Sequence, residues 1–399
     1  VDHVVLERAR VAQRWRGHWD SLRLLTPNWQ TRLPGMAYDG PDRDAFMPKR
    51  DVVRFLEHYA RETAAPVSEY TSVRGVRQLG RGRFWVATNR GDWLCRSVVI
   101  ATGNCGKAFV PAVSSNISRN VRQLNLDDYR KPEDLESGGV LIVGASASGV
   151  QLAREIHVSG RPVLLSVGRH TRMPRRYRGR DIMYWMDAAG ISSERTDQVR
   201  DLAASRRTPS LQLVGSEDGR SLDLGSLARL GVRLVGRARD ADDHELHFAP
   251  DLKRHVRLAD AKLQRLLDRI DRHIAKNEAA VVPDREPIPD IDVRPGPSSI
   301  NLKHENIRTV LWATGYSRSY PWLNLGVLDA RGELVHHRGI TAVPGVYALG
   351  LNFMRRRNSS FIDGVGRDAE DLSRVLLAGL RGSVSRTTSS ETGAARLVA

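Results

Sequence analysis

Apolar residues in this chain fall into two rhythms. Short unbroken runs, four or five residues long and closed by Gly, read as buried strands: "GVLIVG", "SVVIATG", "TVLWATGY" and "GVYALGL". Longer stretches repeat at helical spacing. Val52, Val53, Leu56 and Tyr59 predict a helix over "KRDVVRFLEHYARET", and Leu263, Leu267, Ile270 and Ile274 predict another over "LADAKLQRLLDRIDRHIAKNE". Alternation with turn signals from Ser72 to Cys95 predicts a β-meander. Strand signals recur in "RPVLLSVGRH" and between Leu222 and Phe248. The stretch "DGVGRDAEDLSRVLLAGL" has the pattern of a late helix. A Pro-rich linker, "VVPDREPIPDIDVRPGP", precedes the third run, and the Ser/Thr-rich tail from Gly382 has the composition of a disordered end.

Composition narrows the class. The chain has 399 residues, enough for two or three domains with proper cores, and no apolar run is long enough to span a bilayer. No charged-then-apolar leader opens it, so a soluble cytoplasmic protein is expected. Cys95 and Cys105 stand ten apart without a CxxC pair, which argues against a disulfide scaffold, a zinc site and a redox dithiol. The net charge of +16 is carried mostly by arginines spread along the chain, aromatics make up only 6%, and no nucleic-acid motif accompanies them. A genome-wide arginine bias together with phosphate-bearing cofactors accounts for the excess better than nucleic acid or a membrane surface.

One stretch carries chemistry directly. In "GGVLIVGASASGVQLARE", Gly144, Ser146 and Gly149 hold the three small-residue positions of G-x-G-x-x-G between a strand and a helix. The first position permits the tight turn and the second lets backbone approach a pyrophosphate. The third lets helix and strand pack closely, while the helix N-terminus supplies amide donors. Ser148 lies in the same turn. The next strand identifies the dinucleotide. A carboxylate about 20 residues on would bind a free ribose 2′-hydroxyl. Instead the chain reads "SVGRHTRMPRR", with Ser166, Arg169, His170 and Arg172. Arginine's planar fork suits a 2′-phosphate, so NADPH is favoured, with Arg169 the foremost contact.

This phosphate turn comes late, and the residues before it suggest why. "HVVLE" is a strand ending in an acid, Glu7, placed as the ribose-binding acid of another dinucleotide fold. Two strands end in Ala-Thr-Gly, one at Thr102 and Gly103, the other at Ala313, Thr314 and Gly315. They bracket the NADPH unit. Gly350 closes a later strand, and Gly364 lies in a Gly-rich helix start able to face a flavin's electron-rich edge.

On the run "GASASGVQLA", the two Ala-Thr-Gly strands, the Trp-rich loop after Glu7 and "GRHTRMPRRYRGRD", the chain resembles the flavin-containing monooxygenases. These belong to the class B flavoprotein monooxygenases. The resemblance covers about residues 1–380. It implies an α/β fold of two Rossmann-like domains, with an NADPH domain inserted in a discontinuous FAD domain. The expected spans are 1–136 and 301–381 for the FAD domain, 137–300 for the NADPH domain and 382–399 for the tail. It further implies FAD and NADP as cofactors, O₂ and a small organic substrate as partners, and oxygenation by a C4a-(hydro)peroxyflavin. No metal is called for. Asn28 is the implied catalytic residue, beside the flavin; Trp15, Trp19, Met47 and Arg50 would line flavin or adenine. Arg175, Arg176 and Arg178 would extend the phosphate grip or clamp the nicotinamide, whereas Arg355–Arg357 reads as a solvated basic loop.

Two departures qualify this expectation. The FAD fingerprint belongs about 20 residues ahead of Glu7, outside this chain. An N-terminal truncation lacking the central strand of the FAD sheet is therefore expected. The family's linker histidine is replaced by Asn125, although Tyr129 and Arg130 are kept. Two other readings stay open: an NADPH oxidase or flavin-dependent reductase of the same fold, and a remnant that binds NADP(H) without FAD. Substrate and oligomeric state are not legible.

Overall fold

A computed structural model describes residues 1–80, 82–216, 218–277 and 282–384. Its centre is a five-stranded, all-parallel sheet in the order Arg122–Asn125, Ile307–Trp312, Gly139–Val143, Val163–Ser166, Arg233–Val235. The "GVLIV" strand is buried along its whole length, as an unbroken apolar run flanked by two strands must be. The sheet takes in two strands, Arg122–Asn125 and Ile307–Trp312, from outside the 137–300 span expected for it. The chain leaves Gly139–Val143 toward Val163–Ser166 on one side, while strands from outside that span pair on the other. The phosphate turn therefore opens where the strand order reverses, the usual ligand crevice of such sheets.

The structure matches the predicted α/β class, and most predicted elements are present. The helix Lys49–Glu62 and the antiparallel meander Val73–Gly80, Arg83–Thr88, Trp93–Cys95 sit where the pattern placed them. The long helix runs Leu252–Asn277, starting earlier than expected because Leu252, Val256 and Ala259 extend its buried stripe. Full burial of a leucine or isoleucine contributes roughly 1.5–3 kcal/mol, so Leu263, Leu267, Ile270 and Ile274 hold it firmly to the core. One stretch expected to be strand is helix. Leu224–Leu230 begins at Asp223, whose carboxylate accepts from Ser226 N at 2.9 Å, and ends at Gly231 with φ +105°. Cap, spacing of Leu224 and Leu227, and C-terminal glycine outweigh local strand propensity. The linker 282–298 has no regular structure. The tail expected from Gly382 is helical to Val384, the end of Ile362–Val384, and otherwise lies outside the described residues.

The amino-terminal strands form two separate parallel pairs, Val5–Leu6 with Val67–Ser68 and Val98–Ile100 with Val346–Ala348. No pairing joins one to the other among the described residues. Residues of Val5–Leu6 and Val98–Ile100 border the same cavity, and Val5 and Val99 stay 44% and 42% exposed. No described helix is long and apolar enough to cross a membrane.

Candidate active site

A single connected cavity of about 2680 Å³ joins the phosphate turn to the turns that follow the two Ala-Thr-Gly strands. Pockets for one drug-sized ligand run to about 1,000 Å³ at most, so this space suits two large cofactors. Glu7, Trp15, Trp19, Thr102, Gly103, Gly144, Ser146, Ser148, Arg169, Ala313, Thr314, Gly315 and Gly350 all line it.

The phosphate turn has the geometry its residues require. Gly144 has φ +110°, and a Cβ there would lie 2.3 Å from the Ala313 carbonyl oxygen; a Cβ on Gly149 would meet the Gly144 oxygen at 1.9 Å. Gly149 is thus a packing glycine behind the cavity wall, which lets the helix Ala147–Val158 start against the turn. Ser146 holds the N-cap position with extended backbone and makes no side-chain cap bond. Its hydroxyl and the first-turn amides are left facing the cleft. This cradle fits a pyrophosphate.

Beyond the next strand the predicted contacts part company. Arg169 is exposed on the cavity rim with no ion pair among the described residues. Ser166 is occupied: its hydroxyl donates to the Gly236 carbonyl and accepts from Ala238 N, both at 3.0 Å. His170 is buried, Nδ1 against the Gly168 carbonyl at 3.0 Å, and burial lowers its pKa. Arg172 reaches the cavity wall, but its guanidinium is spent inward on Asp223 at 2.7 Å, Asp260 at 2.8 Å and the Pro289 carbonyl at 2.7 Å. An arginine so neutralised is a brace for the long helix and not a phosphate ligand.

Further corrections follow the same physics. Arg175 is 1% exposed, paired with Asp181 and stacked over Phe46, and Arg178 is held by Asp271. Arg176 is turned to the Gly179 carbonyl. None of the three lines the cavity. Arg355, Arg356 and Arg357 are not a solvated loop: Asp371, Asp368 and Glu194 neutralise them. Asn28 is buried, donates to the Asp42 carbonyl at 2.9 Å and stays off the cavity wall. Met47 packs with Leu24 and Val52, and Arg50 is solvent-exposed beside Asp51. Gly364 also lies off the wall; a Cβ there would sit 1.9 Å from the Asn358 oxygen, so it lets the late helix pack closely.

On the other side of the cavity, Glu7 spends one carboxylate oxygen on Ala9 N at 3.0 Å. Gly103, Gly315 and Gly350 have φ of +70°, +88° and +76°, with nothing near an added Cβ. Asn104 accepts from Asn352 N at 3.0 Å and from Arg318 at 2.8 Å, tying the first Ala-Thr-Gly turn to the segment after Gly350. Arg14 bridges to Asp127 at 2.8 Å and lies over the Tyr316 ring, linking the opening segment, the linker and the second turn. His18 sits edge-on between Trp15 and Trp19; burial first, then Arg14, lowers its pKa to about 4.

Several site residues escaped the sequence reading. Gln212, fully buried, donates to the Ala145 carbonyl at 2.6 Å and braces the phosphate turn from 67 residues away. Ser205–Leu211, Lys262 and Arg265 also line the cavity. No local pattern marks such residues, because only chain crossing brings them in.

Residues 1–189 match the family model described as pyridine nucleotide-disulphide oxidoreductase. Over 376 residues the chain is 29% identical to a Geobacillus kaustophilus protein named uncharacterized oxidoreductase CzcO-like, covering 94% of this chain and 90% of that one. It is 29% identical over 175 residues to the rice indole-3-pyruvate monooxygenase YUCCA8, 41% of either chain. Among solved structures it is similar to the flavin-containing monooxygenase from Stenotrophomonas maltophilia. That match has a TM-score of 0.63, 18% identity, and coverage of 95% of this chain and 98% of the other. These likenesses bear out the resemblance read from the sequence.

Proposed function

This chain has the fold and the relatives of a two-dinucleotide flavoprotein oxidoreductase, and from that premise we propose that it is an FAD- and NADPH-dependent monooxygenase of small organic substrates. The observation that carries this reading is the shared cavity. The pyrophosphate cradle at Gly144–Ser148 and the turns at Gly103, Gly315 and Gly350 open onto one space. Flavin bound there would accept a hydride from the nicotinamide and activate O₂ for transfer to the substrate.

The chain's own residues supply position. Gly144, Ser146 and the amides before Gly149 would hold the NADPH pyrophosphate, with Gln212 keeping the turn rigid. Arg169 would take the 2′-phosphate. Glu7 would bind the FAD ribose, and the Trp15–Trp19 wall would exclude water. The name of the rice relative points to 2-oxo acids as one substrate class to try first.

A second reading, an NADPH oxidase that releases peroxide, rests on Asn125. Its Oδ1 accepts from Asp127 N at 2.7 Å, so the side chain caps its own turn and does not reach the cavity. The two readings separate in one assay. Purified protein loaded with FAD is supplied with NADPH, O₂ and a substrate panel including indole-3-pyruvate, and both products are measured. Oxygenated product with peroxide well below NADPH consumed supports monooxygenation. Peroxide equal to NADPH across the panel replaces it with the oxidase.

A further inference from the structure

The positive groups around the cavity are not all neutralised. Glu194 is shared by Arg269, at 2.8 Å, and Arg357. Beside them Lys262 and Arg265 project from the long helix into the same cavity without a carboxylate partner among the described residues. The Lys262 ammonium donates to the Thr171 hydroxyl at 3.4 Å, a long and weak contact. Burial and then the charges of Arg357 and Arg265 lower the pKa of Lys262. A half-buried ammonium facing two other cations is a cost that an incoming anion would relieve.

Placement gives that anion a role. Thr171 accepts from Gln212 N at 2.8 Å, and Gln212 braces the phosphate turn. Arg357 belongs to the segment just before the helix Ile362–Val384. Lys262 therefore lies between the cradle for the nicotinamide dinucleotide and the segment leading to the late helix. The adjoining wall is apolar: Met173, Met186, Leu211, Leu266 and Phe361 line the cavity and pack in one cluster with the buried face of the long helix. A phosphate of a cofactor would gain nothing from such a wall. A small organic acid would use both parts.

We infer that Lys262 and Arg265 form a carboxylate subsite, and that the substrate is an organic acid whose apolar body rests on Met173, Leu211 and Phe361. This deepens the monooxygenase reading and depends on it for the word substrate; the anion subsite itself is tested by binding alone.

The test is calorimetric titration of FAD-loaded protein saturated with NADP⁺, using 3-phenylpropionate and its neutral amide as probes. The acid is expected to bind at least about tenfold more tightly than the amide, the scale of one charge-assisted hydrogen bond. Lys262→Gln and Arg265→Gln should each erase most of that preference while leaving the amide and NADP⁺ unchanged, and Lys262→Arg should retain it. Equal binding of acid and amide by the unaltered protein overturns the inference, and that comparison needs no variant to fold. So does a parallel loss of NADP⁺ affinity in the Gln variants, which would give the two cations to the cofactor's phosphates. Preference for the acid in a protein that yields only peroxide would sink the monooxygenase reading and leave the subsite standing.

Discussion

Two arginines three residues apart show how little residue type decides alone. Arg169 is exposed and has no ion pair among the described residues; Arg172 is 5% exposed and shared by two aspartates. Arg169→Ala should raise the NADPH dissociation constant about 10- to 100-fold, the value of a charge-assisted contact, and leave NADH unchanged. Equal losses for both would refute the 2′-phosphate assignment. Arg172→Ala should cost about 1.5–3 kcal/mol of folding stability, because it takes the charged donor away from two partly buried carboxylates. Denaturant titration would show it, against a change within about 0.5 kcal/mol for Arg169→Ala. His18 adds a pH dependence. Its folded-state pKa of about 4 lies below the ordinary 6.5, so between these values the unfolded chain binds a proton that the folded chain refuses. Stability from this group is complete above pH 6.5 and falls by about 3 kcal/mol as the pH drops to 4. His170 and His336 are shifted the same way. His18→Gln should therefore make the acid decline of melting temperature shallower, not abolish it.

Among elements, the sheet and the strand pairs differ in how well they are held. Gly139–Val143 has a neighbour on each side and full burial, whereas among the described residues Val5–Leu6 and Val98–Ile100 each pair on one side only. Two-stranded pairs are marginal by themselves. Hydrogen exchange should protect Val140, Ile142 and Leu311 by orders of magnitude more than the Val5–Leu6 and Val98–Ile100 strands. Uniform protection would contradict the pairing. The phosphate turn depends on another distant element. Gln212→Ala removes its brace and should weaken NADP⁺ several-fold while costing about 1–3 kcal/mol, the penalty for a buried carbonyl left without its donor. Fluorescence titration with NADP⁺ and thermal unfolding would check both.

Across the whole molecule, charge behaves as the composition implied but not where the sequence placed it. Three of the six arginines of "GRHTRMPRRYRGRD", Arg172, Arg175 and Arg178, and the Arg355–Arg357 triplet pair with aspartates or glutamates, and the pairs of Arg172, Arg178 and Arg357 brace segments far apart in the chain. Cations without an ion pair among the described residues also line the cavity, at Arg169, Arg207, Lys262 and Arg265. Saturating NADP⁺ at a hundred times its dissociation constant should stabilise the protein by about 2.7 kcal/mol. A thermal shift reduced to about 0.4–1.4 kcal/mol in Arg169→Ala at the same concentration, as a roughly 10- to 100-fold weaker site requires, would tie that stabilisation to the rim.

By itself the sequence determined what depends on neighbours along the chain. Strand, turn and helix at Gly144 are legible because tight turning and close packing demand small residues at fixed offsets. The apolar stripe of the long helix is legible because its period is 3.6. Tertiary structure alone decided which charges stay unpaired, which asparagine or arginine reaches the cleft, and that strands 122–125 and 307–312 belong to the central sheet. A side chain's role there depends on partners tens to hundreds of residues away, and no local period records a contact closed at that distance.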